Sequence, residues 1–317
     1  MNGTTTMRCV LVSKSLDLRG YLGPQFMRAA DRIEIISHPH EGPATDVRLA
    51  VAWHPPDDAF ERYPNLQAVC SIGAGVDNIL ACPSLRPNVD VIRVVDPAQA
   101  QMMSGFVAWH VIGHQRRFAA YQAQQREERW QRLGLRRAQD VPVGILGFGE
   151  IGRTVAADLA LLGFPVMAWS RTAKPVPQGI RGFDGAAGLD AMLGQTEVLV
   201  NLLPLTPETK GILNRKTFAR MLRGGYLIQV GRGEHLVEAD LLAVLEDGQL
   251  AGAALDVFSA EPLLPRHPFW RHPCIVITPH DACEVSVEAI GATFRATAEA
   301  IRAGRRPPHS IDRERGY

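Results

Sequence analysis

The residues Val143 to Leu146 run directly into Gly147-Phe148-Gly149-Glu150-Ile151-Gly152, and Arg153 to Leu162 then reads as a helix ending at Gly163. A short apolar strand, three glycines in G-x-G-x-x-G spacing and a helix leave few folds open. The first glycine permits a tight turn, the second lets a pyrophosphate approach the backbone, and the third lets helix and strand pack closely, with phosphate meeting the helix N-terminus. The pattern predicts a dinucleotide-binding unit with contacts along Gly147, Phe148, Gly149, Glu150, Ile151 and Gly152. Residues 147–154 also spell G-x-x-x-x-G-R-T, one residue from the phosphate loop of nucleotide hydrolases. That second reading is weaker, because Arg153 stands where the loop needs a lysine, and a guanidinium is not the same compact charge.

Around this unit short β-rich runs alternate with amphipathic stretches, the pattern of parallel sheets covered by helices. In the first third the strands are expected at Arg8 to Val12, Arg32 to Ile36, Arg48 to Trp53, Leu66 to Ser71 and Val91 to Val95. A long helix follows, from about Pro97 to Arg117. The polar tract from Phe118 to Asp140 reads equally as a solvated helix or a dimer arm. Six further strands are expected at Val143 to Leu146, Val166 to Trp169, Val198 to Leu203, Tyr226 to Val230, Gly252 to Leu255 and Ile275 to Thr278. A last helix, about Ser286 to Ala303, could return the chain to the first domain. The prediction is an α/β protein of two doubly wound parallel-sheet, Rossmann-like domains with an active-site cleft between them. Residues 1–98 with 285–317 form a flavodoxin-like substrate domain, and residues 99–284 the dinucleotide domain.

Lys and Arg number 34 against 33 Asp and Glu in 317 residues. This balance offers nothing to nucleic acid or an anionic membrane, so the expected partner is a small molecule. Five scattered cysteines with no C-x-x-C pair predict reduced thiols and no metal site. The absence of a signal-like N-terminus and of a long apolar run predicts a cytoplasmic protein with no membrane span.

At the end of the strand after the glycine loop, proteins that bind NAD place a carboxylate for the ribose 2′-hydroxyl. Here stand Ser170, Arg171 and Thr172, with Lys174 nearby. A guanidinium with two hydroxyls suits a 2′-phosphate, so NADPH/NADP is favoured and NADH/NAD remains possible. In open parallel sheets ligands sit beyond the carboxyl ends of the strands. There the sequence puts Gly231-Arg232-Gly233, Asp256 followed by Glu261-Pro262, and Pro279-His280-Asp281. One Arg, one Glu and one His suit reduction of a 2-oxo acid. Arg232 would hold the carboxylate and polarise the carbonyl, His280 would donate a proton to the oxygen that gains charge, and Glu261 would fix and raise the histidine. Each residue alone also has a structural reading, and a protein that only senses the nicotinamide pool is the rival that the complete trio disfavours.

The residues that carry a resemblance are G-F-G-E-I-G (147–152), N-L-L-P-L-T-P-E-T (201–209), V-G-R-G (230–233), D-V-F-S-A-E-P-L (256–263) and T-P-H (278–280). Together they resemble the D-isomer-specific 2-hydroxyacid dehydrogenase family over essentially the whole chain. The family's catalytic Arg, Glu and His fall on Arg232, Glu261 and His280. The resemblance implies that the backbone of Ala74, Gly75 and Val76, in S-I-G-A-G-V-D-N (71–78), receives the substrate carboxylate. It also implies cofactor contacts at Leu203, Pro204, Thr209, Val230, Gly231 and Asp256, the last with the nicotinamide amide. W-H-P-P (53–56), W-S-R-T (169–172) and D-R-E-R-G-Y (312–317) are similar to the glyoxylate/hydroxypyruvate reductase A branch. That likeness implies an NADPH-preferring homodimer acting on glyoxylate and hydroxypyruvate, with Trp53 limiting substrate size or serving in the core. Gly231 replaces a commoner small or amide residue, and Asp281 stands where an apolar residue is usual, which raises the expectation that Asp281 alters the acidity of His280.

Overall fold

The computed structural model describes residues 7–29, 33–39, 44–313 and 316. The N-terminal reading over residues 1–6, Arg32 of the second expected strand, and residues 314, 315 and 317 of the C-terminal motif lie outside the described residues. The chain divides into two compact units, Met1–Ala98 with Glu284–Tyr317, and Gln99–Cys283.

In the first unit β1 (Met7–Ser13), α1 (Leu18–Ala29), β2 (Ile33–Ser37), β3 (Val47–Trp53), β4 (Ala68–Ser71), α2 (Asp77–Leu80) and β5 (Asp90–Ile92) follow in chain order. The sheet order is β2-β1-β3-β4-β5, with every pair parallel. β1 and β3 are nearly continuous buried runs, as central strands covered on both faces must be. The winding reverses between β1 and β3, where Ser13 pairs with Trp53. Trp53 therefore stands at the crevice that such a reversal creates. β5 is shorter than expected, because beyond Ile92 the backbone leaves the ladder and the Arg93 N–H donates to the His309 carbonyl.

In the second unit α3 (Pro97–Arg116) and α4 (Phe118–Arg126) precede β6 (Val143–Leu146), α5 (Glu150–Leu161), β7 (Val166–Ser170), β8 (Ile180–Asp184), α6 (Gly185–Leu193), β9 (Val198–Asn201), α7 (Arg215–Arg220), β10 (Gly225–Gln229), α8 (Glu238–Glu246), β11 (Leu250–Leu255) and β12 (Ile275–Ile277). The order is β12-β11-β10-β9-β6-β7-β8, all parallel. This sheet has seven strands where the sequence predicts six. β8 escapes pattern reading because it is an edge strand, mostly exposed, with Gly182 in its interior. The polar tract 118–140 is helical only over α4, with a short 3-10 turn at Ala138–Asp140. Strand residues alternate between the two faces. Val143, Ile145, Val198 and Val200 pack with Val107, Val155 and Leu159 of α3 and α5, while Leu146, Leu199 and Leu227 pack with Leu193, Phe218 and Leu241 of α6, α7 and α8. Each fully buried aliphatic side chain contributes about 1.5–3 kcal/mol, so these two layers hold the strand ends in place. The order reverses between β6 and β9, and the carboxyl ends of those strands and their neighbours form the ligand edge.

The last helix, α9 (Val287–Arg302), packs in the first unit, with Phe294 against Phe26 at a ring separation of 4.9 Å. Ser286 caps it, its hydroxyl accepting from the Ala289 N–H at 3.2 Å. Among the described residues no helix is long and apolar enough to cross a membrane, and no cluster of His, Cys, Asp and Glu could hold a metal ion.

Candidate active site

The glycine loop sits where β6 ends and α5 begins. Gly147 has φ 101°, a conformation that L side chains rarely adopt, and a Cβ there would lie 2.7 Å from the Leu202 carbonyl oxygen. At Gly152 a Cβ would lie 2.0 Å from the Gly147 carbonyl oxygen, so strand and helix approach closely there. Gly149 faces open space, with no atom within 4 Å of where its Cβ would be. A loop closed at its two ends and open in its middle, beside the N-terminus of a 12-residue helix, fits a pyrophosphate. The Phe148 ring is buried in the core, which leaves only its backbone to the loop. Arg153, the residue that weakened the hydrolase reading, lies with its guanidinium 4.8 Å from the centre of the Phe148 ring.

Beyond β7, Arg171 and Thr172 are exposed, and the Lys174 ammonium donates to the Phe148 carbonyl at 3.1 Å. Lys174 thus flanks the loop, with Arg171 three residues before it in the chain. The expected pair of hydroxyls is altered, because Ser170 is buried and its hydroxyl donates to the Thr172 carbonyl at 2.9 Å. In the turn after β9 the Thr209 hydroxyl donates to the Pro204 carbonyl at 2.8 Å and accepts from the Thr206 N–H at 2.8 Å, which makes the 204–209 turn rigid.

Arg232 follows β10 between two glycines, and each is required by a neighbour. A Cβ on Gly233 would stand 1.9 Å from the Phe258 carbonyl carbon, so the Arg232 turn lies flat against the loop that carries Glu261. A Cβ on Gly231 would stand 2.9 Å from Asn201 Nδ2 and 3.0 Å from His235 Nδ1. The Arg232 guanidinium donates to the Gly231 carbonyl at 2.8 Å.

Glu261 and His280 meet directly. His280 Nδ1 donates to Glu261 Oε2 at 2.8 Å, and the other carboxylate oxygen accepts from the Phe258 N–H at 2.9 Å. A carboxylate accepts only, which assigns the ring proton to Nδ1 and leaves Nε2 for other work. The hydrogen bond that His280 donates to Glu261 holds the His280 pKa above its ordinary value against burial, with the charges of Glu261 and Asp256 adding to it and that of Arg232 opposing. Burial pushes Glu261 up, but its bonds to His280 and Phe258 outweigh this and leave its pKa below the ordinary value. The carboxylates that act on His280 are therefore those of Glu261 and Asp256, and Asp281 instead gives its backbone N–H to Asp256. Asp256 itself is buried and accepts the Thr278 hydroxyl at 2.6 Å, Asp281 N–H at 2.8 Å and Ala282 N–H at 3.1 Å. Of the residues assigned to cofactor, it is the one most occupied by the protein's own donors.

In the first unit the segment after β4 is wound around Ser71. Its hydroxyl donates to the Gly75 carbonyl and accepts from the Gly73 N–H, both at 3.0 Å. The Val76 side chain is buried and its carbonyl accepts from Ile79 and Leu80, so it begins α2. The half-buried Trp53 ring covers Gly73, where a Cβ would come within 3.3 Å of it. Ala74 and Gly75 are half-exposed. Sequence reading missed Ser71, Asn201, Gln229 and His235, whose polar atoms shape the turns that bear the expected residues. A polar residue closing an otherwise apolar strand, as Asn201 and Gln229 do, is the signal that could have found two of them.

The chain is similar to known proteins over most of its length. The family described as D-isomer specific 2-hydroxyacid dehydrogenase, NAD binding domain, matches residues 108–282. A glyoxylate/hydroxypyruvate reductase A of Serratia proteamaculans is 42% identical over 273 residues, 84% of this chain and 87% of the relative. A D-isomer specific 2-hydroxyacid dehydrogenase of Xanthobacter autotrophicus Py2, solved with NADPH and MES, superposes with a TM-score of 0.92 at 36% identity, covering 98% of this chain and all of that one. An NADPH-dependent glyoxylate/hydroxypyruvate reductase of Sinorhizobium meliloti, solved with NADP and sulfate, gives 0.90 at 37% identity, again over 98% of this chain and all of that one. With a glycine loop, an Arg turn and a Glu–His pair along one parallel-sheet edge, the chain belongs to the D-isomer specific 2-hydroxyacid dehydrogenase family.

Proposed function

We propose that the protein reduces small 2-oxo acids with NADPH, converting glyoxylate to glycolate and hydroxypyruvate to glycerate. The observation that carries this reading is the 2.8 Å bond from His280 Nδ1 to Glu261, which fixes the ring with Nε2 free to give its proton. The bound nicotinamide supplies a hydride to the carbonyl carbon. Arg232 holds the carboxylate and draws charge toward the carbonyl oxygen, and His280 protonates that oxygen as charge develops. The backbone of Ala74, Gly75 and Val76 takes the carboxylate from the first unit, and Trp53 over Gly73 keeps the acid small. Gly147 to Gly152, Leu203, Pro204, Thr209, Val230, Gly231 and Asp256 line the cofactor, with Arg171 and Thr172 at its 2′-phosphate and Ser170 ordering their turn. The names of the relatives and their NADPH and NADP complexes support the same choice.

The test follows cofactor absorbance with glyoxylate, hydroxypyruvate and phenylpyruvate, with NADPH and NADH at low concentration. Expected are turnover of the two small acids, NADPH ahead of NADH, loss of that preference in Arg171→Ala, and at least a hundredfold loss in His280→Asn and Arg232→Ala. Unchanged turnover in the last two variants would remove the mechanism.

A homodimer is part of the proposal. Trp130 is fully exposed, and Leu135 and Trp109 are 74% and 58% exposed, a large apolar display on one unit that a second copy would cover. Sedimentation should find twice the chain mass.

A further inference from the structure

We propose that His235, which the reduction itself does not touch, is a positioning residue for Arg232; this rests on the reading of Arg232 as the substrate anchor. The ring is completely buried behind the Arg232 turn. Its Nε2 lies 3.2 Å from the Pro204 carbonyl oxygen, which can only accept, so Nε2 carries the proton. Nδ1 is then a bare acceptor. It takes the Arg232 backbone N–H at 3.1 Å and one N–H of the Asn201 amide at 2.9 Å.

The other side of Arg232 is held by the same network. The Asn201 amide donates to Gln229 Oε1 at 2.7 Å, which orients the Gln229 amide so that its Nε2 donates to the Arg232 carbonyl at 2.7 Å. Asn201 and Gln229 are as fully buried as His235. Both main-chain polar groups of Arg232 thus end on buried side chains whose own partners leave them a single orientation. Three buried polar groups in one closed network specify one arrangement, since any rotation would strand a donor or an acceptor away from water.

The network also explains glycine at 231. Any Cβ there would occupy the space of the Asn201 amide and the His235 ring. Ring, amide and glycine form one device, and it joins the Pro204 turn, on the cofactor side, to the residue that holds the acid. A misplacement of about 1 Å in such an anchor can cost about a hundredfold in rate.

The experiment contrasts two neutral, polar replacements in the full-length protein. His235→Asn places an amide oxygen where Nδ1 stood and keeps an acceptor for the Arg232 N–H. His235→Gln reaches the Pro204 carbonyl and gives that acceptor up. Expected are kcat/KM for glyoxylate within about threefold of wild type for H235N, and a loss of about tenfold or more for H235Q, carried largely by KM for the acid, with KM for NADPH unchanged. Equal losses in the two variants, or a loss shared equally by both KM values, would overturn the proposal. Nitrogen-15 shifts of the wild-type protein test it without any variant: the His235 proton must be found on Nε2, and a proton on Nδ1 refutes it. Arg232→Ala runs in parallel; if that variant keeps wild-type turnover, the reading of Arg232 has failed and the positioning role falls with it, whereas its loss beside equal H235N and H235Q identifies a failure of the positioning role alone.

Discussion

The backbone N–H of His280 donates to the Asp256 carbonyl at 2.8 Å, and the Asp256 carboxylate gathers the Thr278 hydroxyl and the N–H groups of Asp281 and Ala282 around it. His280 has φ 57°, a left-handed conformation that is uncommon for a residue with a side chain. One buried carboxylate therefore supports the turn that aims the imidazole. Replacing Asp256 by Ala removes two acceptor oxygens that take three hydrogen bonds at a buried site, and should cost roughly 2–4 kcal/mol of stability, with at least a tenfold fall in kcat. Thermal unfolding and steady-state rates check this, and Asp256→Asn, which keeps one acceptor oxygen, should fall between the two.

Gly233 tests how the Arg232 turn meets the Glu261 loop. A methyl group there would collide with the Phe258 main chain, which has no flexible end to give way. Gly233→Ala should therefore separate the two loops, lowering kcat/KM more than tenfold and the melting temperature by several degrees. Wild-type activity in this variant would mean that the two loops are independent.

A separate prediction concerns the opposite end of the sheet. Glu197, just before β9, takes two hydrogen bonds at 2.7 Å from Arg136 and one at 2.8 Å from His114. Burial pushes its pKa up, but those bonds outweigh it and bring it down to about 2. Because the folded value lies below the unfolded one, the contribution is complete above about pH 4.5 and disappears as the pH falls through about 2. Glu197→Gln should lose about 2 kcal/mol at pH 7 and almost nothing near pH 2, a difference that denaturant unfolding at the two pH values resolves.

Much of this site was legible because its signals are local. Gly147, Gly149 and Gly152 declare their loop by spacing, and Arg232, Glu261 and His280 announce themselves as polar residues just past apolar strands. What escaped depends on neighbours distant in sequence. Asn201 pairs with Gln229 and His235, 28 and 34 residues further on, so no window of sequence joins the three. Asp281 drew notice by adjacency, yet the carboxylates that act on His280 are those of Glu261 and, more weakly, Asp256, 19 and 24 residues before it. Phe148 and Ser170 stand in the motifs expected to meet the cofactor, but packing turns the ring inward and the hydroxyl donates to the nearby Thr172 carbonyl. β8 was lost because an exposed edge strand need not be apolar.

The central claim is that Glu261 keeps His280 protonated for reduction. The raised pKa of His280 means that the proton donor persists above the ordinary histidine range and is lost as the pH rises through the folded value. The decisive measurement is kcat/KM for glyoxylate with NADPH from pH 5 to 10, in wild type and Glu261→Gln. The alkaline limb should move to lower pH by about one unit or more in the variant, because the largest influence raising His280 has been removed. A limb at the same pH in both proteins would contradict the account.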